Sequence, residues 1–224
     1  MNLLQKIYFA SDQHFGAPTK VSSLPREEKF IQWLDEIKKD ADVLFLLGDL
    51  FDFWFEYKTV VPKGFVRVLG KIAELKDAGI TIHFFVGNHD LWMDDYFETE
   101  LGIPVYRQPK EFILNNKTFL IGHGDGLGPG DYNYKCMKKV FTNPFSKWLY
   151  RWLHPDIGMP LGQYFSVKNK LISGDEDVAY LGSTALVSAT ALGNILHIEM
   201  IVQNGSNAGT FAIQFAQNTQ TNDS

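Results

Sequence analysis

Residues 42–52 read DVLFLLGDLFD, an apolar run of strand length that stops at Gly48-Asp49. A continuous run of this kind suits a strand buried on both faces, as in a parallel sheet. The same texture recurs on either side. QKIYFAS (5–11) runs into Asp12-Gln13-His14, and ITIHFFV (80–86) runs into Gly87-Asn88-His89-Asp90. Helical spacing fills the gaps between them. Pro25 opens PREEKFIQWLDEIKKD, where Phe30, Ile31, Trp33, Leu34 and Ile37 recur on one side. This places Glu27 and Glu28 in the first turn and Lys38 and Lys39 in the last, as the helix dipole favours. Residues 63–78 predict a second helix stopped by Gly79, and 111–114 with 117–121 predict a hairpin across Asn115-Asn116. Its second arm ends in Gly122-His123-Gly124-Asp125. Strand alternating with helix predicts an α/β layered fold with a substantially parallel core.

Ligands of open α/β sheets bind beyond the carboxyl ends of the strands. Four polar clusters stand there: Asp12-x-His14, Gly48-Asp49-x-x-Asp52, Gly87-Asn88-His89-Asp90 and Gly122-His123. Singly, each is ordinary, since an Asp after a strand often caps a helix and a loop His is usually just solvated. Four in order point to a metal site. Carboxylate, imidazole and amide oxygen form a mixed donor set that suits Mn²⁺, Fe²⁺ or Zn²⁺ better than Ca²⁺. One rigid sheet could present all four clusters to a common centre. The glycines before Asp49, Asn88 and His123 permit tight turns and close backbone approach.

Residues 126–170 differ in texture. A turn-rich GLGPGDYNY leads into an aromatic, basic stretch broken by Pro144, Pro155 and Pro160, which predicts two or three short helices capping the strand ends. Phe141, Phe145, Trp148, Leu149 and Trp152 share one helical face, with Lys138, Lys139, Lys147 and Arg151 beside it. Three readings fit: a basic amphipathic surface for an anionic membrane, a groove for acyl chains, or an ordinary core helix with solvated lysines. The chain of 224 residues carries a net charge of −5, and all 21 Lys and Arg lie at or before Lys170. The basic residues form no extended stripe, so no nucleic-acid partner is expected. After about residue 175 the composition shifts. ILHIEMIVQ and TFAIQFAQ, flanking NGSNAG, predict a hairpin in a β-rich tail. The lone Cys136 fits a reducing compartment, and neither a signal-peptide core nor an 18-residue apolar span is present. A cytoplasmic protein is expected.

The set DQH, GDLFD, GNHD and GHGD resembles the first four motifs of the calcineurin-like metallophosphoesterase family. The resemblance covers roughly residues 5–175. It implies a layered metallophosphoesterase core over 1–127 and 171–183, a helical cap insertion over 128–170, and a tail of unknown origin over 184–224. It implies two divalent metals, Mn²⁺ foremost, with Asp12 and His14 on one, Asp49 bridging, and Asn88 and His123 on the other. His89 would face the phosphate as the catalytic group. Asp52, Asp90, Asp125, Asp131, Lys138, Lys139, Phe141, Trp148, Arg151 and Trp152 would bind substrate or support the ligands, with Asp52 or Asp90 orienting a ligand His. GDLFDFWFEY, GHGDGLGPGD and the basic aromatic cap are similar to the branch that acts in lipid A biosynthesis. That likeness implies an acylated UDP-sugar substrate, UDP-2,3-diacylglucosamine, cleaved at its pyrophosphate to UMP and 2,3-diacylglucosamine 1-phosphate. It also implies a place at the inner membrane face, with the cap on the membrane surface.

The family pattern has a fifth motif, Gly-His-x-His, which these residues lack. After His123 only His154 and His197 remain, and His197, between Leu196 and Ile198, reads as a strand residue. Each metal would then keep three of its four protein ligands. Two alternatives follow: a phosphoesterase for nucleotides or other phosphodiesters, and a catalytically defective chain. The tail hairpin could cover a sheet edge that the family's own strands would otherwise cover.

Overall fold

Strand β2 (Val43–Leu47) sends alternate side chains into two separate cores. Leu44 and Leu46 enter one, and Val43 and Phe45 enter the other. This period of two, apolar on both faces, is what a central strand between two packed layers requires. In the computed structural model, which describes residues 5–124, 138–173, 185–192 and 195–202, β1 (Ile7–Ala10) and β3 (Thr81–Phe85) flank β2 in parallel, and β4 (Val105–Tyr106) follows β3.

The first core lies under α1 (Lys20–Ile37), α2 (Val66–Asp77) and α3 (Tyr96–Thr99), with Phe30, Leu34, Val68, Ile72 and Phe97 as helical contributors. The second lies under a two-stranded sheet, β5 (Lys110–Leu114) and β6 (Lys117–Ile121), which contributes Leu114 and Ile121. Asn115 and Asn116, at φ 49° and 64°, make the turn between them, as a two-residue hairpin loop with two left-handed residues needs. The result is a layered α/β fold: helices, a mainly parallel sheet, and a hairpin.

Helix α1 starts earlier than its sequence suggests. Thr19 and Ser22 form a reciprocal capping box, so the helix begins at Lys20 and Pro25 lies inside it. A capping box satisfies two orphan N–H groups, and here it outweighs the proline. The register shift removes Glu27 and Glu28 from the first turn, and Lys38 becomes the C-cap. Glu27 is instead buried and accepts from Ser23 Oγ at 2.6 Å.

Beyond the core come three helical segments: α4 (138–142), α5 (Pro144–Arg151) and α6 (Pro155–Ser173). Pro144 and Pro155 stand at helix starts, where their missing N–H costs nothing. The tail adds β7 (Ala185–Leu192) and β8 (Ile195–Val202). These two pair with each other across a two-residue connection. The expected hairpin between ILHIEMIVQ and TFAIQFAQ falls partly outside the described residues. His197 lies in β8, as its neighbours suggested. Strand β7 runs antiparallel beside β1, giving the sheet order β4-β3-β2-β1-β7-β8. The tail therefore covers the edge of β1. Asp125, Asp131 and Cys136 lie outside the described residues.

Candidate metal centre

The strand ends at the carboxyl edge turn through left-handed backbone at the candidate ligands themselves. Asp12, His14 and Asp49 have φ of 59°, 46° and 52°. Such angles cost a non-glycine residue about 1–3 kcal/mol and persist only where surroundings impose them. The imposing contacts are visible. The loops after β1 and β2 continue the parallel pairing beyond the strands: Asp12 N–H donates to Gly48 O (3.2 Å), His14 N–H to Asp49 O (2.8 Å) and Phe15 N–H to Leu50 O (3.0 Å). Arg26 of α1 adds a clamp, donating to the carbonyls of His14 (2.9 Å) and Ala17 (2.5 Å).

Glycines bring the next loop alongside. A Cβ on Gly48, which has φ of 88°, would lie 2.7 Å from Gly87 N and 2.8 Å from His123 Nδ1, while one on Gly87 would collide with Asp49. Asp90 braces this junction from below. Fully buried, it accepts from Gly87 N–H (2.6 Å) and Leu50 N–H (3.1 Å). Burial first, and then the charge of Asp49, push its carboxyl up to about 7.

Asp49 sits at the middle. Its Oδ1 accepts from His89 N–H at 2.8 Å. Its Oδ2 lies 3.4 Å from His123 Nε2 and 3.9 Å from His14 Nε2. Asp12 Oδ1 is 3.9 Å from the same His14 nitrogen, and Asn88 Oδ1 is 3.1 Å from His123 Nε2. Nitrogen and oxygen donors about 2.0–2.2 Å from one ion stand roughly 3–4 Å from each other. These donors therefore have the spacing and chemistry to hold divalent cations, with Asp49 between two imidazoles. Among the described residues, Asp12–Asp49–His123 and His14–Asp49–His89 are the His and acid groups with ligand atoms close enough to share an ion.

The electrostatics agree. Burial alone would raise the Asp49 carboxyl, but the hydrogen bond and charge of His123, with His89 and His14, hold it well below the usual carboxylate range. Burial lowers His123, yet Asp49 outweighs this and raises it to about 10. The partner that orients His123 is the backbone carbonyl of Leu47, 2.7 Å from Nδ1, rather than Asp52 or Asp90. An acceptor there leaves Nε2 for the centre. Asp52 is buried between two rings, its Oδ1 3.7 Å from His14 Nδ1 and 3.8 Å from His89 Nδ1.

His123 reaches the centre from β6, so the fourth cluster comes from the hairpin layer and not from the sheet that carries the other three. The cap residues divide. Phe141 docks the cap on the core: its ring meets Trp92 and its carbonyl accepts from Trp92 Nε1 at 2.6 Å. Arg151 reaches Asp94 at 3.2 Å. Phe145, Trp148, Leu149 and Trp152 face outward, Trp152 at 74% exposure, and α5 buries none of its residues. The core-helix reading of α5 is thereby overturned. Lys139 is exposed and Lys138 partly so. Two contributors went unread in the sequence, Arg26 and Ser166. Ser166, in α6, lies 2.8 Å from His89 Nδ1.

The family model described as calcineurin-like phosphoesterase matches residues 5–177. A UDP-2,3-diacylglucosamine hydrolase of Porphyromonas gingivalis is 42% identical over 166 residues, covering 74% of this chain and 63% of that protein. Proteins of the same name from Actinobacillus succinogenes and Pseudomonas putida are 27% and 28% identical, over 74% and 72% of this chain and 68% and 64% of their own lengths. The chain thus spans somewhat under two thirds of the P. gingivalis relative.

Proposed function

Because this chain belongs to the calcineurin-like phosphoesterase family, we propose that it is a metal-dependent hydrolase that cleaves the pyrophosphate of UDP-2,3-diacylglucosamine, giving UMP and 2,3-diacylglucosamine 1-phosphate. The observation that carries the reading is the convergence of Asp49 Oδ2 on His14 and His123 at the carboxyl edge of the sheet. The proposed ligands are Asp12, His14 and Asp49 for one cation, and Asp49, Asn88 and His123 for the other, with Mn²⁺ the favoured metal. A bound pair supplies Lewis-acid polarisation of the phosphoryl oxygens and acidifies the attacking water. The chain's own residues do the rest. Asp49 stays ionised in a buried setting, Leu47 O fixes the His123 ring, and His89 stands beside the centre to stabilise charge on the phosphate.

The cap supports the acylated substrate. Phe145, Trp148, Leu149 and Trp152 form an exposed apolar face beside Arg151, the pattern of a surface that meets acyl chains and anionic headgroups. No described helix is long and apolar enough to cross a membrane; the proposed placement, peripheral to the inner membrane face, rests on this exposed face of the cap. The test is a Mn²⁺-loaded assay comparing UDP-2,3-diacylglucosamine with bis(p-nitrophenyl) phosphate. Release of UMP with strong preference for the acylated substrate is expected. Preference for the small diester would overturn the substrate assignment, and no hydrolysis of either would overturn the enzyme reading.

A further inference from the structure

We propose that Ser166 of the cap helix α6 is a positioning residue that fixes the direction of the His89 ring. The inference rests on the reading of His89 as a group facing the phosphate.

The hydrogen-bond inventory leaves one consistent assignment. His89 Nδ1 lies 2.8 Å from Ser166 Oγ and 3.1 Å from the carbonyl oxygen of Asp52. Ser166 Oγ lies 2.8 Å from that same carbonyl and 3.2 Å from Asp52 Oδ2. A carbonyl oxygen only accepts, and a serine has one proton to donate. The Ser166 hydroxyl therefore donates to Asp52, and its oxygen is an acceptor toward His89. Every polar neighbour of Nδ1 is then an acceptor, so Nδ1 carries hydrogen and Nε2 is the nitrogen left for the centre. In a His next to reactive groups, the bond made by one ring nitrogen fixes what the other can do.

The helix that delivers Ser166 is shaped for the task. Gly158, Gly162 and Ser166 follow one another at four-residue spacing, so they share a face of α6. A Cβ on Gly162 would run into the ring of Phe53, and one on Gly158 into the Tyr57 hydroxyl. Phe53 and Tyr57 belong to the same loop as Asp52. The bare glycine face lets α6 approach that loop closely enough for a short side chain to bridge it to His89. Tyr150 adds a latch, its hydroxyl donating to the Gly158 carbonyl. His89 thus has its second acceptor only when the cap is docked.

The experiment uses the full chain and the variants S166A and S166T. Nitrogen-15 NMR of the metal-free protein, recorded at alkaline pH, reads the His89 tautomer and the Nδ1 shift that its hydrogen bond to Ser166 sets. Kinetics with bis(p-nitrophenyl) phosphate read kcat and KM on a substrate too small to need the apolar cap. In S166A the Asp52 carbonyl still accepts from Nδ1–H, so we expect the tautomer to persist, the Nδ1 shift to move as the Oγ acceptor is lost, and kcat to fall about 10–100-fold, the usual loss for an orienting partner, with KM little changed. S166T, which keeps the hydroxyl, recovers most of kcat. In an H89A background, S166A adds no further loss. An unmoved Nδ1 shift in S166A, or an equal loss with and without His89, overturns the proposal. If the parent chain hydrolyses nothing, the functional reading falls, and the Nδ1 shift still decides the Ser166–His89 link.

Discussion

Nε2 of His123 stands 3.4 Å from Oδ2 of Asp49, and each of these atoms is aimed by a backbone group on its far side. The Leu47 carbonyl holds the imidazole, and the His89 N–H holds the other carboxylate oxygen. The pair is preorganised by main chain, which no surface substitution can easily move. Asp49→Ala removes the proposed bridge and one half of this pair. Hydrolysis is expected to fall well beyond the 10–100-fold seen for an outer partner, with loss of bound metal by elemental analysis. Activity near the parent level would remove Asp49 from the bridging role.

Metal uptake should depend on pH with a definite sign. The His123 pKa is raised from 6.5 to about 10 in the metal-free protein. The protonated His123–Asp49 pair therefore stabilises that state fully below about 6.5, and its contribution disappears as pH rises through about 10. A cation needs the deprotonated nitrogen. Binding should release that proton, and apparent affinity should rise up to about tenfold per pH unit below pH 10. Calorimetry in buffers of different ionisation enthalpy checks the release. Binding that is flat with pH would contradict the assignment.

Among the described residues, the proposed assignment gives each cation three protein donors. Ligand number controls retention as well as geometry. Dialysis against EDTA should strip both ions readily, and activity should return on adding Mn²⁺. Two metals held at full occupancy through chelation would show that further donors complete the site.

Gly48→Ala should be among the costly single changes in the core. The position has φ of 88°, and the new Cβ would press on Gly87 N and His123 Nδ1. Left-handed backbone costs about 1–2 kcal/mol for alanine, and the two contacts add to it. A loss above about 2 kcal/mol is expected in urea denaturation, accompanied by weakened metal binding.

Trp148→Ala and Trp152→Ala should behave in the opposite way. Both rings are more than half exposed. Stability should change by less than about 0.5 kcal/mol. The ratio of activity on UDP-2,3-diacylglucosamine to that on bis(p-nitrophenyl) phosphate should drop, together with binding to anionic vesicles in a flotation assay. An unchanged ratio would place the acyl chains elsewhere.

Much of the layout was legible because it rests on local rules. The two asparagines of the 110–121 hairpin, the two-sided apolar strands and the polar strand ends all declare themselves in short windows. What escaped depended on competition between signals or on distance. Thr19 and Ser22 outbid Pro25 as the start of α1 because a reciprocal cap satisfies donors that proline merely lacks. The pairing of β8 with the segment before it went unread because alternation marks strands but not which strands join. Arg26 and Ser166 act on the centre through backbone carbonyls and a ring nitrogen far away in sequence. No spacing rule announces such contacts, although the four-residue run of Gly158, Gly162 and Ser166 was a visible hint in α6.

Strand β1 carries the first two proposed ligands at its end, and its two neighbours reach it at very different times. Its partner β2 follows after one helix, whereas β7 begins only at Ala185. Pairings between such distant segments form slowly, because the loop they close must lose its freedom first. A ribosome would therefore expose the open side of β1 until β7 (Ala185–Leu192) had been made. The stage between the first four parallel strands and the arrival of β7 is where this protein would be most prone to stick to its neighbours, and where a chaperone would have most to do.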